Sequence, residues 1–584
     1  MPFMPASLRP RRRLRFSPAL LVLAAAVFFG PPTVRAQDYQ VQFLVPGSYF
    51  HGIHGLAFDR DDQLYAGSVV GQTIYKVEVD SGDVSVRIGA PTGMADDIAF
   101  APDGTMAWTS FLIGTLHARV KEDKNGPGVE VATGLPGINS LAFNKQGRLF
   151  ASQVFLGDAL WEIDISNLKE PDAAKRKPPQ PPRKIMENMG GLNGFDFGPD
   201  GMLYGPLWFK GQVVKIDVDK GTMKVVADGF KIPAAVNFDS KGQLYVVDTA
   251  LGQVIRVNVD SGQKTLIASV KTAIDNLAID SRDRIFITNM ADNGVYQVIA
   301  ETGQVKTVVE GKLAIPSDIA VVSDGKTDTL YVADVFAFRR VDGATGEVKD
   351  MARMQADQLE YPFGIFANAK LVVLTSWFTN SVQTIDRATG RTLDMAHDFK
   401  APVDAIALDD GSLLVLELAS GELVRVRGPK GKDRATVAKG INGGVAMTLG
   451  NATTVYISEL GSGSIIAVNL QTGAKTTVAT GLKGPEGLDM LPNGLIAVAE
   501  VGTERLLSVD PKNGQIKVLV GNLAIGLPPY RGGPPMFVTT GVAVSKSGTI
   551  YVSSDKRNAI YKITPIIPPP APPAAAAAPE PKKQ

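Results

Sequence analysis

Short runs of alternating apolar and polar residues recur along most of the chain, and a turn separates each run from the next. One such run, GLAF, occupies residues 55–58, and related runs return as DIAF, SLAF, NLAI and GVAV. Turns such as Pro102-Asp103-Gly104 follow these strands, and second strands such as LYAGS and LYVVD come next. Alternation between Asp-Gly turns is the pattern of antiparallel β-hairpins. The sequence therefore predicts β-sheet throughout.

The unit built from these strands repeats twelve times, at intervals of 39 to 54 residues. Two intervals are lengthened by insertions, around residues 169–184 and 523–535. Four strands in about forty residues, repeated without helices, are typical of a β-propeller. We predict an all-β chain of twelve four-stranded blades, arranged as two tandem six-bladed β-propellers. Two unequal rings, of seven and five blades, are the alternative.

The predicted domains are a first propeller over residues 48–311 and a second over 312–567. Blade 12 lacks a fourth strand, because Pro565 and the prolines from 568 onward cannot continue a sheet ladder. An unassigned strand, Tyr39–Val45, lies within residues 37–47. The tight turn at Thr302-Gly303 completes blade 6 within itself, so we expect the N-terminal strand to close the second propeller.

Both ends of the chain differ from the repeats. Five arginines between Arg9 and Arg15 precede an apolar run, Ala19 to Phe29, and a small-residue cleavage site ends at Ala36. This is the pattern of a signal peptide over residues 1–36; the apolar run is too short for a membrane span, which needs about 20 residues. Residues 568–584 are a Pro/Ala-rich segment expected to be disordered. The expected location is the bacterial periplasm or exterior.

Composition narrows the function classes. The absence of cysteine excludes disulfides, thiolate metal sites and thiol nucleophiles. A formal net charge of +1 gives no basic surface of the kind that nucleic acid requires. The expected partner is therefore a small molecule, and a protein could dock on the propeller faces.

In a propeller, the first strand of each blade lines the central channel. The residue before each first-strand apolar core should therefore contribute to a ring. The twelve ring positions are His54, Asp96, Asn139, Asn193, Ala234, Asp275, Ser317, Phe363, Asp404, Gly443, Glu486 and Thr540. The first ring is polar at five of six positions, whereas the second has only two ionisable residues. This asymmetry predicts one working propeller and one supporting propeller.

The polar first ring has the chemistry of a metal site. Oxygen donors with one imidazole suit Ca²⁺, Mg²⁺, Mn²⁺ or Zn²⁺. The predicted ligands are His54, Asp96, Asn193 and Asp275. The alternative is a ring of polar side chains around channel water.

The strands LYVVDT and LYVADV and the Pro-Asp-Gly turns resemble those of the NHL-repeat and gluconolactonase/regucalcin propellers, over both halves of the chain. The resemblance implies a metal-binding Glu in the first blade, Asn residues in the third and fourth, and an Asp in the fifth. Asn139 and Asn193 match, but His54 replaces the Glu and Ala234 replaces the Asp. The sixth-blade Asp275 would compensate. These two departures count against sugar-lactone hydrolysis as the reaction.

The far ends of the second strands return to the same face as the ring, and they are apolar. Phe111, Phe155 and Trp208 lie there and are predicted to contact the substrate. A polar floor beneath an apolar rim is the usual build of a small-molecule pocket; the alternative is packing between loops. His51 and His54, at the mouth of blade 1, are the candidates for proton transfer.

The leading hypothesis is an exported, metal-dependent hydrolase of the lactonase or esterase type. It would act on a small, partly apolar molecule in the first channel, and Asn139 would orient the substrate. A non-catalytic binding or scaffold protein is the alternative, and a propeller lyase is a third option.

Overall fold

A computed structural model describes residues 38–566 except 122, 124, 125 and 171. The predicted signal peptide and the C-terminal tail lie outside the described residues. Within them the regular structure is all β, apart from five short 3-10 turns at Phe111–Ile113, Ser166–Lys169, Ala173–Lys175, Pro429–Gly431 and Val501–Thr503. No helix in this part of the chain has the length and hydrophobicity to traverse a bilayer.

The first six blades each contain four consecutive antiparallel strands. Their bounds are β2 Ile53–Phe58, β3 Leu64–Ser68, β4 Thr73–Val77, β5 Val84–Ile88; β6 Ile98–Phe100, β7 Met106–Ser110, β8 Thr115–Arg119, β9 Val129–Ala132; β10 Ile138–Phe143, β11 Leu149–Gln153, β12 Ala159–Ile163, β13 Arg183–Glu187; β14 Asp196–Phe197, β15 Leu203–Leu207, β16 Gln212–Asp217, β17 Thr222–Ala227; β18 Pro233–Phe238, β19 Leu244–Asp248, β20 Gln253–Val257, β21 Lys264–Ser269; and β22 Ile274–Ile279, β23 Ile285–Asn289, β24 Gly294–Val298, β25 Val305–Val309.

Blades 7 to 11 follow the same order, and blade 12 combines three C-terminal strands with the N-terminal one. The bounds are β26 Asp318–Ser323, β27 Asp328–Asp334, β28 Ala337–Asp342, β29 Val348–Arg353; β30 Gly364–Ala367, β31 Leu371–Ser376, β32 Ser381–Asp386, β33 Thr392–Ala396; β34 Pro402–Ala407, β35 Leu413–Glu417, β36 Glu422–Arg427, β37 Asp433–Lys439; β38 Gly444–Asn451, β39 Thr454–Glu459, β40 Ser464–Asn469, β41 Lys475–Ala479; β42 Pro485–Met490, β43 Ile496–Glu500, β44 Arg505–Val509, β45 Ile516–Val520; and β46 Val542–Val544, β47 Ile550–Ser554, β48 Ala559–Pro565 with β1 Tyr39–Val45.

Burial within a blade decreases from the second strand to the fourth. In blade 5, every residue of β19 (LYVVD) is buried, whereas β21 (KTLIAS) is mostly exposed. The second strand is apolar on both faces because it lies between two neighbouring blades, like a strand that is covered on both sides of a sheet. The apolar cores of the propellers therefore lie between blades.

The twelve blades form two closed rings of six, and the prediction of two six-bladed propellers is confirmed. The first strand of blade 1, β2, packs beside the first strand of blade 6, β22. In the second ring, β26 of blade 7 packs beside β46 of blade 12. Rings of seven and five blades would need different closing contacts.

The N-terminal strand β1 pairs antiparallel with β48. Tyr39 lies opposite Pro565 and Val41 opposite Ile563. β1 thereby becomes the outer strand of blade 12 and covers an edge that would otherwise be unpaired. The two ends of the described chain consequently meet in one sheet.

Buried carboxylates link neighbouring blades. In five places, an Asp in or directly before a first strand accepts a hydrogen bond from a backbone N–H of the next blade. The pairs are Asp97 with Leu141 (3.2 Å), Asp196 with Phe238 (3.2 Å), Asp318 with Ile365 (3.0 Å), Asp404 with Met447 (2.7 Å) and Asp489 with Val544 (2.8 Å). Burial raises the pKa of each of these five carboxyls. The bonds help to hold the blades at a fixed spacing around each ring.

A buried ion-pair network joins the two propellers. Arg353 of β29 lies 2.8 Å from Asp292 of blade 6, and Arg339 lies 2.6 Å from Asp334. Asp350 contacts both arginines. Because these groups are mostly removed from water and hydrogen-bonded to one another, they fix how blade 7 sits on blade 6.

Candidate functional site

A cavity of about 440 Å³ lies where the channel of the first propeller faces the second propeller. This volume is in the range of small-molecule sites. The first propeller contributes His54, Val69, Val70, Asp96, Phe111, Leu112, Asn139, Phe155, Leu156, Asn193, Trp208, Phe209, Asp275 and Met290; the second contributes Val335, Phe336, Gln355, Tyr361, Phe363, Phe378, Thr379 and Phe537. The wall is thus built by both rings.

The polar floor is positioned by bulges in the first strands. The pairing register shifts between Ile53 and Leu56, and the same shift recurs around Asn139 and Asp275. A bulge inserts an extra residue into one strand and re-aims its side chain. The irregularity therefore coincides with the ring residues that face the channel.

At the centre of the floor, one imidazole lies between two carboxylates. Nδ1 of His54 is 3.0 Å from Oδ2 of Asp275 and 3.8 Å from Oδ1 of Asp96. Burial lowers the pKa of His54, but the hydrogen bond and charge of Asp275, together with the charge of Asp96, outweigh it and the net shift is upward. Burial raises the pKa of Asp96 to about 7, assisted by Asp275 and opposed by His54. The three groups form one coupled acid–base cluster.

The two predicted asparagines lie beside this cluster and are bridged by a hydroxyl. Oγ of Ser140 is 2.7 Å from Oδ1 of Asn139 and 2.9 Å from Oδ1 of Asn193. Oδ1 of Asn193 also accepts from the backbone N–H of Gly194 at 2.9 Å. The side chain of Asn139 bonds to Asp96 and helps to hold its charged form. The asparagines therefore support the floor through internal hydrogen bonds.

The fit of the cluster to a metal ion is partial. The carboxylates of Asp96 and Asp275 and the imidazole of His54 are donors that divalent cations accept. Oδ1 of Asn193, however, already accepts from the backbone N–H of Gly194 and shares the hydroxyl proton of Ser140 with Asn139. Among the described residues, no three His, Cys, Asp or Glu side chains form a group that could hold a metal ion as they stand. The donor types fit a cation, and the arrangement is not a ready-made site.

The apolar rim lies where the sequence places it. Phe111, Phe155 and Trp208 all line the cavity. Phe155 contacts both of the others edge-on, with ring centroids 6.2 Å and 5.3 Å apart. Its φ of 67° is unusual for a bulky residue and turns the ring into the rim.

His51 is placed differently from the other candidates. It is not among the residues that line the cavity, and its Nδ1 lies 3.1 Å from the hydroxyl of Tyr75. Burial lowers the pKa of His51. His51 is therefore hydrogen-bonded outside this cavity, and His54 is the one of the two candidates for proton transfer that reaches it.

The contribution of the second propeller was not predicted. Val335 and Phe336 follow the LYVAD strand as Val69 and Val70 follow LYAGS, so extending the rim alignment to the second half would have found them. Phe363 is a second-ring position. Gln355 and Tyr361 come from a connecting loop that carries no repeat pattern, and no sequence signal marks them.

Fold and cavity together define a β-propeller protein with a cavity of small-molecule size between two rings. Residues 189–336 match the family model described as SMP-30/gluconolactonase/LRE-like region, which belongs to a β-propeller family. The matched segment contains Asn193 and Asp275 and does not reach His54 or Asp96.

Among solved structures, the chain is similar to one described as streptogramin B lyase, with 14% identity over 57% of this chain and 93% of the other and a TM-score of 0.31. It is also similar to a chain of a nidogen/laminin complex, with 15% identity over 41% and 91% and a TM-score of 0.24. Comparison with curated proteins gives no match.

Proposed function

We propose that this chain is an exported hydrolase of the lactonase or esterase type, acting on a small and largely apolar molecule. The observation that carries the proposal is the hydrogen bond between His54 and Asp275 on the floor of a cavity with aromatic walls. The match of residues 189–336 to a gluconolactonase-like family supports the reaction class. The signal-peptide pattern supports export.

His54 has the arrangement of a general base. Its Nδ1 faces Asp275, which favours the tautomer with the proton on Nδ1 and leaves the lone pair on Nε2. Nε2 would take a proton from a water molecule while the water oxygen attacks the ester carbon. The acyl–oxygen bond then breaks, and the leaving oxygen takes a proton from the cluster.

Asp96 is suited to supply that proton. Its pKa of about 7 keeps part of the population protonated at neutral pH, and paired groups whose pKa values are pushed apart commonly divide acid and base roles. Asn139, bonded to Asp96, would orient the acid and the substrate. Phe111, Phe155 and Trp208 would contact the apolar part of the substrate.

The predicted divalent cation forms a second part of the proposal. Asp96, Asp275 and His54 offer the donor types that would hold it, but among the described residues they would have to move into a metal-binding arrangement. Asp96 would bind the cation in its ionised form and would then no longer supply the proton. A bound cation would polarise the substrate carbonyl. Asn193 would remain a supporting residue, since its oxygen is already bonded to Ser140 and Gly194.

Turnover of a small panel tests the proposal. Purified protein is assayed with p-nitrophenyl butyrate and alkyl-substituted γ-lactones, alongside His54→Gln and, as a matched control, His397→Gln; His397 is an exposed histidine that contacts Glu360. We expect turnover in the wild type and the control and its loss in His54→Gln. Absence of wild-type turnover, with measurable ligand binding, would instead favour the binding protein. Metal analysis and chelation decide whether a cation takes part.

A further inference from the structure

The loop Met354–Phe363, which joins β29 to β30, carries second-propeller residues into the first-propeller site. It begins directly after Arg353. That side chain is buried and bonds to Asp292 (2.8 Å), to Oδ1 of Asn289 (2.9 Å) and to the carbonyl of Thr272 (2.9 Å), all in the first propeller. The start of the loop is therefore held against the ring that contains His54.

Two residues of this loop have a left-handed backbone although neither is glycine. φ is 65° at Gln355 and 29° at Tyr361. Non-glycine residues with positive φ are uncommon and often occur where a side chain has to be presented at a site. Both side chains line the cavity, and the Tyr361 hydroxyl hydrogen-bonds to Gln355.

The Tyr361 ring is fixed by its neighbours. It packs edge-on against Phe336, with centroids 6.0 Å apart, and against Phe378, with centroids 5.2 Å apart. Phe336 in turn lies 5.3 Å from the imidazole of His54. Burial, and then the charges of Asp275 and Asp96, raise the pKa of Tyr361. The phenol lines the same cavity as these two carboxylates and remains a protonated hydrogen-bond donor.

We propose that Tyr361 is a substrate-contacting residue supplied by the second propeller. Its hydroxyl donates a hydrogen bond to a carbonyl oxygen of the ligand, and Gln355 is the positioning residue. This places a polar donor in a second-propeller wall that is otherwise mainly aromatic. The first propeller alone would bind the apolar part of the ligand and lack this donor. That the carbonyl belongs to an ester or lactone rests on the proposed function.

A pair of non-hydrolysable probes of similar shape tests the donor. Acetophenone has a carbonyl acceptor and ethylbenzene has none; both are titrated calorimetrically into wild type and Tyr361→Phe. The quantity compared is the ratio of the two dissociation constants, which cancels any effect of the substitution on cavity shape that both probes experience alike. One lost hydrogen bond of typical net strength corresponds to a change of roughly tenfold in this ratio.

The expected result is a roughly tenfold loss of acetophenone preference in Tyr361→Phe. Tyr204→Phe, which removes a hydroxyl bonded to Asp200 on an outer turn of blade 4, should keep the wild-type ratio. Gln355→Leu keeps the Tyr361 side chain and should also reduce the preference for acetophenone. This second variant keeps the inference testable if Tyr361→Phe does not fold. An unchanged ratio in Tyr361→Phe and Gln355→Leu overturns the inference, even if ester turnover exists. If the acetophenone preference falls as expected but the wild type turns over no ester, only the hydrolase proposal is overturned.

Discussion

His54 and Asp275 are hydrogen-bonded at 3.0 Å although 221 residues separate them in the sequence. His54 belongs to blade 1 and Asp275 to blade 6, the first and last blades of one ring. The acid–base cluster therefore exists only when the first propeller is closed, and it reports directly on that closure.

Replacing Asp275 with Asn should remove the negative charge that acts on the imidazole of His54. The carboxylate raises the pKa of His54, so the Asn variant should have a lower His54 pKa. A raised His pKa stabilises the fold below the ordinary value of 6.5, and this contribution is lost as pH rises through the folded pKa. The variant should thus lose stability near pH 6 more than near pH 9. NMR titration of the four histidines gives the pKa directly.

Turnover should respond to the two rings unequally. In Asp275→Asn we expect a loss of roughly 100-fold or more, as when the carboxylate that orients a catalytic histidine is neutralised. Asp404→Asn, in the second ring, should change turnover little because Asp404 bonds to the backbone of Met447 and does not line this cavity. Equal losses at unchanged melting temperature would contradict a single working ring.

The buried acids of the second ring should make the protein less stable at high pH. Burial, aided by the charge of Asp555, raises the pKa of Glu486 from 4.5 to about 8. Protonated Glu486 contributes to the free energy of unfolding below pH 4.5, and this contribution is lost as the pH rises through about 8. Glu486→Gln should flatten the fall in unfolding free energy between pH 6 and 9, by on the order of 2 kcal/mol. Glu422→Gln should leave the slope between pH 6 and 9 unchanged, because the hydrogen bond to Lys439 lowers the pKa of Glu422.

Removing Arg353 should weaken the contact between the propellers. Arg353→Met removes the shorter ion pair of the buried carboxylate of Asp292. Losing a buried partner typically costs about 3–5 kcal/mol, and Lys271, which stays 3.5 Å from Asp292, should reduce this loss. Denaturant unfolding, with acetophenone binding as a second readout, measures the loss. Arg427→Met is the control, because its pair with Asp410 is half-exposed and should change stability by less than about 1 kcal/mol. Similar losses in both variants would argue against a special role for the interface.

Closure by β1 can be tested with cysteines, since the chain has none of its own. Gln42 lies opposite Lys562, so Gln42→Cys with Lys562→Cys should form a disulfide spontaneously. Cross-linking so long a loop should stabilise the fold by roughly 3–5 kcal/mol. Gln42→Cys with Lys306→Cys, which would report closure on blade 6, should stay reduced. Non-reducing electrophoresis and melting with and without reductant separate the outcomes.

The sequence predicts the propellers well because each blade is a local unit. Alternating strands and Asp-Gly turns recur within about forty residues, and ring positions such as Asp96 and Asn139 follow from counting along the repeat. The floor of the cavity and the rim at Phe111 and Phe155 could be located in this way.

The sequence does not reveal the cavity residues whose position depends on how the two propellers pack together. Tyr361 and Gln355 lie in a loop outside the repeat, and their role depends on the docking of Arg353 on Asp292. His51 and His54 look equivalent in sequence. The imidazole of His51 nevertheless contacts the hydroxyl of Tyr75, whereas the imidazole of His54 contacts two carboxylates. A repeat pattern specifies positions within a blade and carries no information on contacts between separate rings.

The pairing of β1 with β48 also changes how the chain can be divided. Since the first strand belongs to the second ring, the first propeller is an insertion within the second, and no single cut yields two consecutive, self-contained halves. The second ring cannot close until the last strand has been synthesised, so its completion should be a late step in folding. A protease that nicks the junction between blades 6 and 7 would leave two fragments that remain interlocked through β1.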